Sequence, residues 1–301
     1  MYRNKTNYLA KPFVKWAGGK GQILNEIRKK YPATLGKSIN KYAEPFIGGG
    51  AVLFDVLNNF ILDAVYISDI NKELTHTYIA IRDSVDELGY VLSEYEKEYL
   101  PADECTRKDI YYEKRELFNT IKKGSEKPLE LAALFIFLNR TCFNGLYRVN
   151  AKGGFNVPQG SYKNPCIFDE DNLRIVSQKL QGITIVCGDY KLAANFIDDR
   201  TFAYFDPPYR PLSPTANFTA YAQDGFCDMA QAELASFIDT MSEKGAYIVA
   251  SNSDPKNVDE QDDFFDTLYA AHKISRIQAS RAINSNGAKR GKVRELLIAN
   301  G

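Results

Sequence analysis

The sequence predicts an α/β fold built on a doubly wound, largely parallel β-sheet. Short apolar runs that are typical of buried strands end at Gly or Asp, and helical patterns lie between them. The first run, Tyr42–Phe46, leads into Gly48–Gly50, after which a helix is predicted over Ala51–Asn58 and a second strand over Val65–Ser68. A strand, a Gly-rich loop, a helix and a second strand in this order open doubly wound domains.

The later part of the chain predicts further strands of the same sheet. β-Branched, aromatic and other apolar residues dominate four short runs, Thr184–Cys187, Phe202–Phe205, Gly245–Ala250 and Glu295–Ala299. Apolar residues at helical spacing predict a helix over Met229–Ser242. Strands that alternate with helical segments are what a doubly wound sheet requires.

A long insertion is predicted between the second and third strands. The segment from Asp69 to Thr184 far exceeds the usual connection of about 2–6 residues, so it must hold structure of its own. Helical periodicity and composition predict helices within Lys72–Glu98 and Lys108–Leu138. We therefore expect a discontinuous domain of residues 1–75 and 171–301, with an inserted domain at residues 76–170.

The insertion ends in a segment with a different character. Residues 144–163 are rich in Gly, Asn and β-forming residues, and Gly153 and Gly154 separate two short runs, Leu146–Asn150 and Phe155–Pro158. Two such runs joined by glycines predict a β-hairpin.

Charge is balanced overall but unevenly distributed. The chain has 38 basic and 38 acidic residues. Residues 1–25, 140–168 and 267–294 contain no acid, whereas Asp254–Asp266 holds six acids against Lys256. Arg3, Lys5, Arg281, Lys289 and Arg290 belong to the basic segments. These segments either converge into a basic face that suits a phosphate backbone or remain separate solvated surfaces.

Cysteine and histidine usage makes a metal site or a disulfide framework unexpected. Five cysteines include no C-x-x-C pair, and there are only two histidines. No apolar run approaches the roughly 18 residues of a membrane span. The first residues, Met1–Leu24, lack the apolar stretch of a secretory signal. We therefore expect free thiols, no bound metal and a cytoplasmic location.

The Gly-rich loop and a downstream acid suggest a nucleoside ligand. Gly48 and Gly50 match the start of a dinucleotide fingerprint, but Leu53 stands where its third glycine would be. Asp69 follows a strand and suits a ribose diol. A nucleoside without a pyrophosphate, such as S-adenosylmethionine, fits this pattern. A structural turn with Asp69 capping a helix fits it equally well.

The string Asp206-Pro207-Pro208-Tyr209 follows a buried strand and suits an aromatic amine. Such an amine is a poor nucleophile, and two acceptors on its N–H groups would draw it toward tetrahedral geometry. Asp206 offers one acceptor and the Pro207 carbonyl offers the other, while the prolines remove competing donors. Tyr209 offers a face for stacking. The alternative is a rigid turn without chemistry.

Together these motifs resemble the Dam-like, D12-class family of DNA adenine-N6 methyltransferases, in which a cofactor motif, a recognition insert and a catalytic motif follow in that order. The resemblance covers nearly the whole chain, and it rests on Lys15–Lys20, Glu44–Gly50, Asn139–Lys163, Asp206–Tyr209, Ser251–Ser253 and Asn286–Arg294. It implies a Rossmann-like domain that binds S-adenosylmethionine and a DNA-reading insert. Substrate DNA would be double-stranded, with the target adenine flipped out of the helix.

The resemblance also implies a role for each matching position. Asp206, Pro207 and Tyr209 would be catalytic. Asp69 would bind the ribose of the cofactor, Asp189 would lie near its adenine and Phe46 would pack on it. The implied cofactor-binding residues are Trp16, Ala17, Gly18, Lys20, Pro45, Phe46, Gly48, Gly50, Asp69, Asp189 and Asp206.

For DNA, Arg148 would read a guanine, Leu146 and Pro158 would meet a thymine methyl group, and Lys15 would touch the outer guanine. Phe143 and Asn144 would wedge into the base stack. The implied DNA-binding residues are Lys15, Arg140, Phe143, Asn144, Leu146, Arg148, Asn156, Pro158, Tyr162 and Lys163. Family members with this hairpin read GATC. Tyr147 occupies a position whose residue type varies in the family, so no role is assigned to it.

Other functions remain open from the sequence. A cytosine-N4 methyltransferase uses the same amine chemistry, but such enzymes usually carry Ser in place of Asp206. A cytosine-C5 enzyme needs a cysteine nucleophile, and Cys166 follows a proline but lies in the insert. A catalytically silent DNA-binding regulator would leave Asp206–Tyr209, Gly48–Gly50 and Asp69 unused. A methyltransferase that acts on RNA or on a protein amine would leave the hairpin unused. The enzyme is expected to be a monomer. A functional pairing with a restriction endonuclease stays open.

Overall fold

The computed structural model describes residues 9–124, 127–210, 226–280 and 292–301. The chain divides into two compact units, of which the first is Met1–Gly19, Gly48–Asn59 and Asp69–Gly188 and the second is Lys20–Ile47, Phe60–Ser68 and Asp189–Gly301. The predicted basic residues Arg3, Lys5, Arg281, Lys289 and Arg290, with most of the motif Asn286–Arg294, lie outside the described residues. The predicted division into residues 1–75 with 171–301, and residues 76–170, stays a prediction.

The fold is mixed α/β. Its strands are β1 (Lys41–Glu44), β2 (Ala64–Asp69), β3 (Thr184–Cys187), β4 (Thr201–Phe205), β5 (Tyr247–Ser253), β6 (Lys273–Ser280) and β7 (Lys292–Ala299). In the second unit the strands pair in the order β2-β1-β4-β5-β7-β6. The first four of these are parallel, whereas β7 runs antiparallel to both β5 and β6.

The predicted strands are confirmed, with shifted ends that have local causes. β1 stops at Glu44 rather than at Phe46 because Pro45 has no N–H for the ladder. β4 is buried along its whole length, as an apolar central strand must be. β6 was not predicted, since Lys273–Ser280 mixes basic, polar and apolar residues and is a weaker signal than a continuous apolar run.

The helices are α1 (Leu24–Arg28), α2 (Ala51–Asn59), α3 (Lys72–Asp83), α4 (Val85–Tyr99), α5 (Glu104–Lys122), α6 (Pro128–Thr141), α7 (Glu170–Leu180), α8 (Asp228–Glu243) and α9 (Phe264–Leu268). Each long helical pattern predicted in the insertion becomes two helices. Ser84 has a non-helical backbone between α3 and α4, and Pro128 begins α6 because a proline tolerates the first helical turn. None of the described helices is long and apolar enough to cross a membrane.

The first unit is organised around α6. Every residue from Leu131 to Leu138 is buried, and α3, α4 and α5 pack against this helix. A helix that is apolar on all sides belongs in the centre of a helical cluster. In the second unit α8 packs on β5 through one apolar stripe that includes Leu234, Ile238 and Met241.

The predicted hairpin forms as a tight chain reversal with two isolated antiparallel bridges, between Val149 and Phe155 and between Cys142 and Gln159, rather than as two regular strands. Asn150 holds the turn, because its Oδ1 atom accepts hydrogen bonds from the N–H groups of Lys152 and Gly154. Asn119 of α5 bonds both the N–H and the carbonyl of Phe155. Backbone hydrogen bonds also cross the reversal, from the Asn156 N–H to the Arg148 carbonyl at 3.0 Å and from the Asn150 N–H to the Gly154 carbonyl at 2.8 Å. The loop is therefore stabilised by backbone and side-chain hydrogen bonds together.

Candidate functional site

Asp206 stands at the carboxyl end of β4, and its Oδ1 atom accepts two hydrogen bonds. Lys20 Nζ lies 2.8 Å from this oxygen, and Ser251 Oγ of the neighbouring β5 also lies 2.8 Å from it. The Lys20 side chain is 6% exposed and that of Asp206 is 21% exposed, so the ion pair is largely shielded from water. Among the described residues no donor reaches Oδ2. Asp206 is thus oriented through one oxygen while the other keeps its acceptor capacity.

A short relay supports Ser251. The hydroxyl of Tyr204, fully buried in β4, donates to Ser251 Oγ at 3.0 Å, and Ser251 then donates to Asp206. Burial, and secondly the charge of Asp206, raise the pKa of Tyr204, so this phenol stays protonated and keeps its donor role. The sequence singled out Ser251 only through a motif, and it gave no signal for Tyr204.

Tyr209 is held at both its ring and its hydroxyl. The hydroxyl donates to Glu295 Oε2 of β7 at 2.7 Å, and Lys20 Nζ lies 4.6 Å from the ring centroid. Burial raises the pKa of Tyr209, and the negative charges of Asp206 and Glu295 raise it further. The Tyr209 phenol therefore stays protonated, and its ring is fixed beside Asp206. Glu295 is a residue that the sequence did not single out for function.

The two prolines of the motif differ in how their carbonyls are used. The Pro208 carbonyl accepts a hydrogen bond from Gln231 Nε2 at 3.1 Å, and Gln231 in turn accepts from the side chain of Asn252. No hydrogen bond to the Pro207 carbonyl is formed within the described part of the chain. The Pro207 carbonyl and Asp206 Oδ2 are thus two acceptors, one residue apart, that the described residues leave unused.

Arg210, the residue that follows Asp206–Tyr209, is held by several contacts. Its N–H donates to Asn252 Oδ1 at 3.3 Å, and its guanidinium forms ion pairs with Asp228 at 2.7 Å and Asp262 at 2.6 Å. The guanidinium also lies 4.3 Å from the ring centroid of Phe264. Part of the acidic segment 254–266 therefore neutralises basic residues of its own unit rather than forming a separate acidic surface.

The glycine loop and Asp69 lie together in the first unit. The N–H of Gly48 donates to Asp69 Oδ2 at 3.1 Å, and the N–H of Asn71 donates to Oδ1 at 2.9 Å. Burial raises the pKa of Asp69, and the backbone hydrogen bonds partly offset this. Each carboxylate oxygen still has acceptor capacity toward a ligand hydroxyl. The residue is half-buried at the end of β2, as a ribose-binding acid is expected to be.

The glycines of this loop are required by internal packing. Gly48 and Gly50 have φ angles of +47° and +74°. A Cβ atom on Gly48 would lie 2.8 Å from Trp16 Cδ1, and one on Gly50 would lie 2.5 Å from the hydroxyl of Tyr78. Tyr78 is fully buried, and its hydroxyl donates to the Gly48 carbonyl at 3.1 Å. Close packing therefore explains these glycines even before a ligand is considered.

The ring of Trp16 also stacks on Tyr147, a residue to which sequence reasoning gave no role. The two rings stack with centroids 6.1 Å apart and an interplanar angle of 24°. The Tyr147 hydroxyl accepts from Lys122 Nζ at 2.8 Å and donates to Glu73 Oε2 at 2.9 Å. The predicted DNA-reading loop and the predicted cofactor segment are thus in direct contact within the first unit.

The other predicted cofactor residues occupy ordinary structural positions. Ala17 is half-buried and Gly18 is exposed in a turn. In the second unit Phe46 stacks on Tyr190 at 5.5 Å, and the Pro45 carbonyl accepts from Ser68 Oγ at 3.3 Å. Asp189 is exposed and accepts a hydrogen bond from the N–H of Lys191 at 2.9 Å. Their cofactor roles stay predictions.

Most of the predicted DNA-binding side chains lie on the surface of the first unit. Lys15, Phe143, Asn144, Arg148, Pro158 and Lys163 are exposed, and Leu146, Asn156 and Tyr162 are half-buried. Asn144 has a φ angle of +55°, which is uncommon for a residue with a side chain. Arg148 Nε donates to Asn156 Oδ1 at 2.7 Å, and Lys15 Nζ lies 3.9 Å from the Tyr162 ring centroid.

Arg140 differs from the others. Its guanidinium donates twice to the carbonyl of Phe13, at 2.7 and 3.1 Å, and burial lowers its pKa. In this position the side chain anchors the segment that precedes Lys15. Its contact with DNA stays a prediction.

Neither cysteine chemistry nor a metal centre is evident in the described residues. Cys166 is exposed in the first unit, and burial raises the pKa of Cys142 to about 12. No cluster of three or more potential metal ligands occurs among the residues that the structure describes.

The sequence of this chain matches a known enzyme family. The model of the D12 class N6 adenine-specific DNA methyltransferases matches residues 16–283, so the chain belongs to this family. It is therefore an adenine-specific DNA methyltransferase rather than a cytosine-N4 enzyme.

Its relatives include a type II methyltransferase, M.MjaIII, of Methanocaldococcus jannaschii, with 47% identity over 96% of this chain and 99% of the relative. The DNA adenine methylases of Haemophilus influenzae and Escherichia coli K12 are 38% and 37% identical. Each alignment covers 95% of this chain, and 92% and 93% of the respective relative.

The packing of the glycine loop predicts unequal effects of two substitutions at matched backbone angles. Gly50 and Gly182 both have φ of +74°, but a Cβ on Gly182 has no neighbour within 4 Å. We expect Gly182→Ala to lower the free energy of unfolding by about 1 kcal/mol through backbone strain. Gly50→Ala should lower it by about 3 kcal/mol, because overpacking against Tyr78 is added. Urea unfolding measures both, and equal losses would contradict the packing explanation.

Proposed function

We propose that this enzyme transfers a methyl group from S-adenosylmethionine to N6 of a flipped adenine in double-stranded DNA, within GATC. The observation that carries this proposal is the arrangement at Asp206. Lys20 and Ser251 occupy Oδ1, while Oδ2 and the Pro207 carbonyl have no donor among the described residues. These are the two acceptors that an adenine amino group needs for its two N–H groups.

The residues of the motif perform the chemistry without a strong base. The cofactor supplies a methyl group on a sulfonium, and the C–S electron pair leaves with sulfur as the N6 lone pair bonds the methyl carbon. Asp206 and the Pro207 carbonyl hold the amine so that its lone pair is directed away from the ring. Tyr209 stacks on the base. The extra proton on N6 is then lost to water.

The residues around Asp69 suit S-adenosylmethionine. The carboxylate of Asp69 provides acceptors for a ribose diol, and its burial favours a neutral partner with hydroxyl groups. Trp16 offers an aromatic surface beside Gly48, and aromatic faces attract a sulfonium. The remaining proposed cofactor residues are Ala17, Gly18, Lys20, Pro45, Phe46, Gly50, Asp189 and Asp206.

DNA recognition is assigned to the exposed loop. Arg148 reads a guanine, because an exposed arginine in a loop that enters the major groove can bond guanine O6 and N7 together. Phe143 is 51% exposed and follows a helix, which suits a side chain that wedges into the base stack when the adenine flips. Lys15, Leu146, Asn156, Pro158, Tyr162 and Lys163 complete this surface, and Arg140 supports it.

The proposal extends to the setting of the enzyme. It acts as a monomer in the cytoplasm on double-stranded DNA, and the type II methyltransferase among its relatives supports pairing with a restriction endonuclease. Mapping methylated bases in a mixed plasmid library tests the GATC assignment directly.

Removing the Asp206 carboxylate tests the chemical step. We expect Asp206→Ala to abolish methyl transfer and Asp206→Asn to retain at most about 1% of turnover, since one strengthened acceptor is worth about a hundredfold or more. DNA affinity should persist because Asp206 acts on the amine and not on phosphate. Single-turnover methylation and DNA titration are the measurements, with exposed Asp199→Asn as control. Near-normal turnover of Asp206→Ala contradicts the assignment.

Asp69 is expected to control cofactor affinity. Asp69→Asn should weaken S-adenosylmethionine binding about tenfold, the value of one hydrogen bond to a charged group, without weakening DNA binding. Because burial raises the pKa of Asp69, cofactor affinity should be full above that raised pKa. On acidification it should fall at a higher pH than an exposed Asp would allow. Calorimetric titration over pH measures this, with Asp109→Asn as control. A loss of DNA affinity alone would refute the ribose role.

Arg148 is expected to determine sequence selectivity. Arg148→Ala should relax discrimination at one guanine by roughly 10- to 100-fold, because a bidentate base contact is lost. Lys152→Ala, which removes a charge from the same exposed loop, should weaken binding to all sequences alike. The test compares methylation rates on GATC and on each single-base variant at fixed salt. If Arg148→Ala preserves the ranking of sites, Arg148 contacts phosphate rather than a base.

A further inference from the structure

Glu295 is the one charged side chain found on the hydroxyl of Tyr209 among the described residues. It lies on β7, where it pairs with Ser253 of β5 and with Ile277 of β6, so strands on both sides hold its backbone in place. Its Oε2 atom accepts the Tyr209 hydroxyl hydrogen at 2.7 Å. A carboxylate acceptor makes this a short, charge-assisted hydrogen bond.

The ring of Tyr209 already accepts a cation. Lys20 Nζ lies 4.6 Å from its centroid, within the range at which the negative face of an aromatic ring attracts an ammonium group. A phenol that donates to a carboxylate carries more electron density in its ring than one that donates to water. The negative face of Tyr209 is therefore strengthened by Glu295, and the raised pKa of the phenol keeps its proton in the bond.

This bears on the reaction because adenine gains positive charge as its amine is methylated. A ring stacked on the base stabilises that charge more than it stabilises the neutral base before transfer. Interactions that strengthen only in the transition state raise kcat without changing substrate affinity.

We propose that Glu295 is a positioning residue for methyl transfer, which acts through the Tyr209 hydroxyl to fix the ring and to strengthen its attraction for the charge that develops on adenine. This inference rests on the proposed role of Asp206–Tyr209. It adds a residue from the last strand of the sheet to that site.

A double-mutant cycle of Glu295→Gln and Tyr209→Phe tests the inference. Glutamine keeps an acceptor of similar size and removes the charge, and phenylalanine keeps the ring and removes the hydroxyl. We expect each single change to lower kcat, and the rate constant of methyl transfer measured in single turnovers, about tenfold. KM for DNA and for cofactor should stay unchanged. In the Tyr209→Phe background Glu295→Gln should slow the reaction by less than about twofold, because its route of action is gone.

The control variant is Glu260→Gln. Glu260 is 76% exposed and pairs with Arg294, which also lies on β7, at 2.9 Å. The same charge is removed near the same strand without touching Tyr209, so kcat should stay at the wild-type value. A loss of kcat in both Glu260→Gln and Glu295→Gln would indicate a general charge effect and overturn the inference.

Two further outcomes overturn it. One is a wild-type kcat in Glu295→Gln or in Tyr209→Phe. If Glu295→Gln does not fold, Tyr209→Phe still tests the inference, because it removes the hydroxyl through which Glu295 is proposed to act. The other is an equal effect of Glu295→Gln in the presence and absence of the Tyr209 hydroxyl. The proposed function has its own test, since active Asp206→Ala refutes it whatever Glu295 does. Inactive Asp206→Ala with normal Glu295→Gln refutes only the role of Glu295.

Discussion

The ion pair between Lys20 and Asp206 is the interaction on which the geometry of the proposed catalytic motif depends. A lysine that is almost completely buried is costly unless it is paired, and the Asp206 carboxylate 2.8 Å away provides the pairing. The same contact removes rotational freedom from the carboxylate. Because Ser251 binds the same oxygen, Oδ2 keeps its full acceptor capacity, which the proposed contact with the adenine amino group requires. The ion pair therefore contributes to both the stability and the orientation of this site, together with the hydrogen bond from Ser251.

The direction of the last strand explains why Glu295 can reach this motif. β4 and β5 are parallel, so Asp206 and Ser251 lie near the carboxyl ends of their strands at one edge of the sheet. β7 runs the opposite way, and its early residue Glu295 therefore lies opposite Ser253 at that edge. A parallel final strand would have placed its amino end at the other edge. The antiparallel strand thus adds an acid to a site otherwise built from strand ends.

The sequence could predict what depends on local patterns. The apolar run of β4 followed by Asp206-Pro207-Pro208-Tyr209 was recognisable, and the strand is confirmed. Long-range pairings leave no such signal. Nothing near Glu295 indicates that it meets Tyr209 86 positions earlier, and nothing near Tyr204 indicates Ser251. The strand β6 escaped detection for a related reason, since its stabilisation comes from pairing with β7 rather than from its own composition.

In the first unit, a residue proposed to read DNA is adjacent in sequence to a residue that packs inside the unit. Tyr147 packs on Trp16, whereas the next residue, Arg148, is exposed and bonded to Asn156. A shift of one residue in this loop would expose Tyr147 and bury Arg148. Such an exchange of a packed and an exposed side chain costs free energy, as a register shift does in a strand. The stack on Trp16 therefore holds Arg148 at the surface, where base reading would need it.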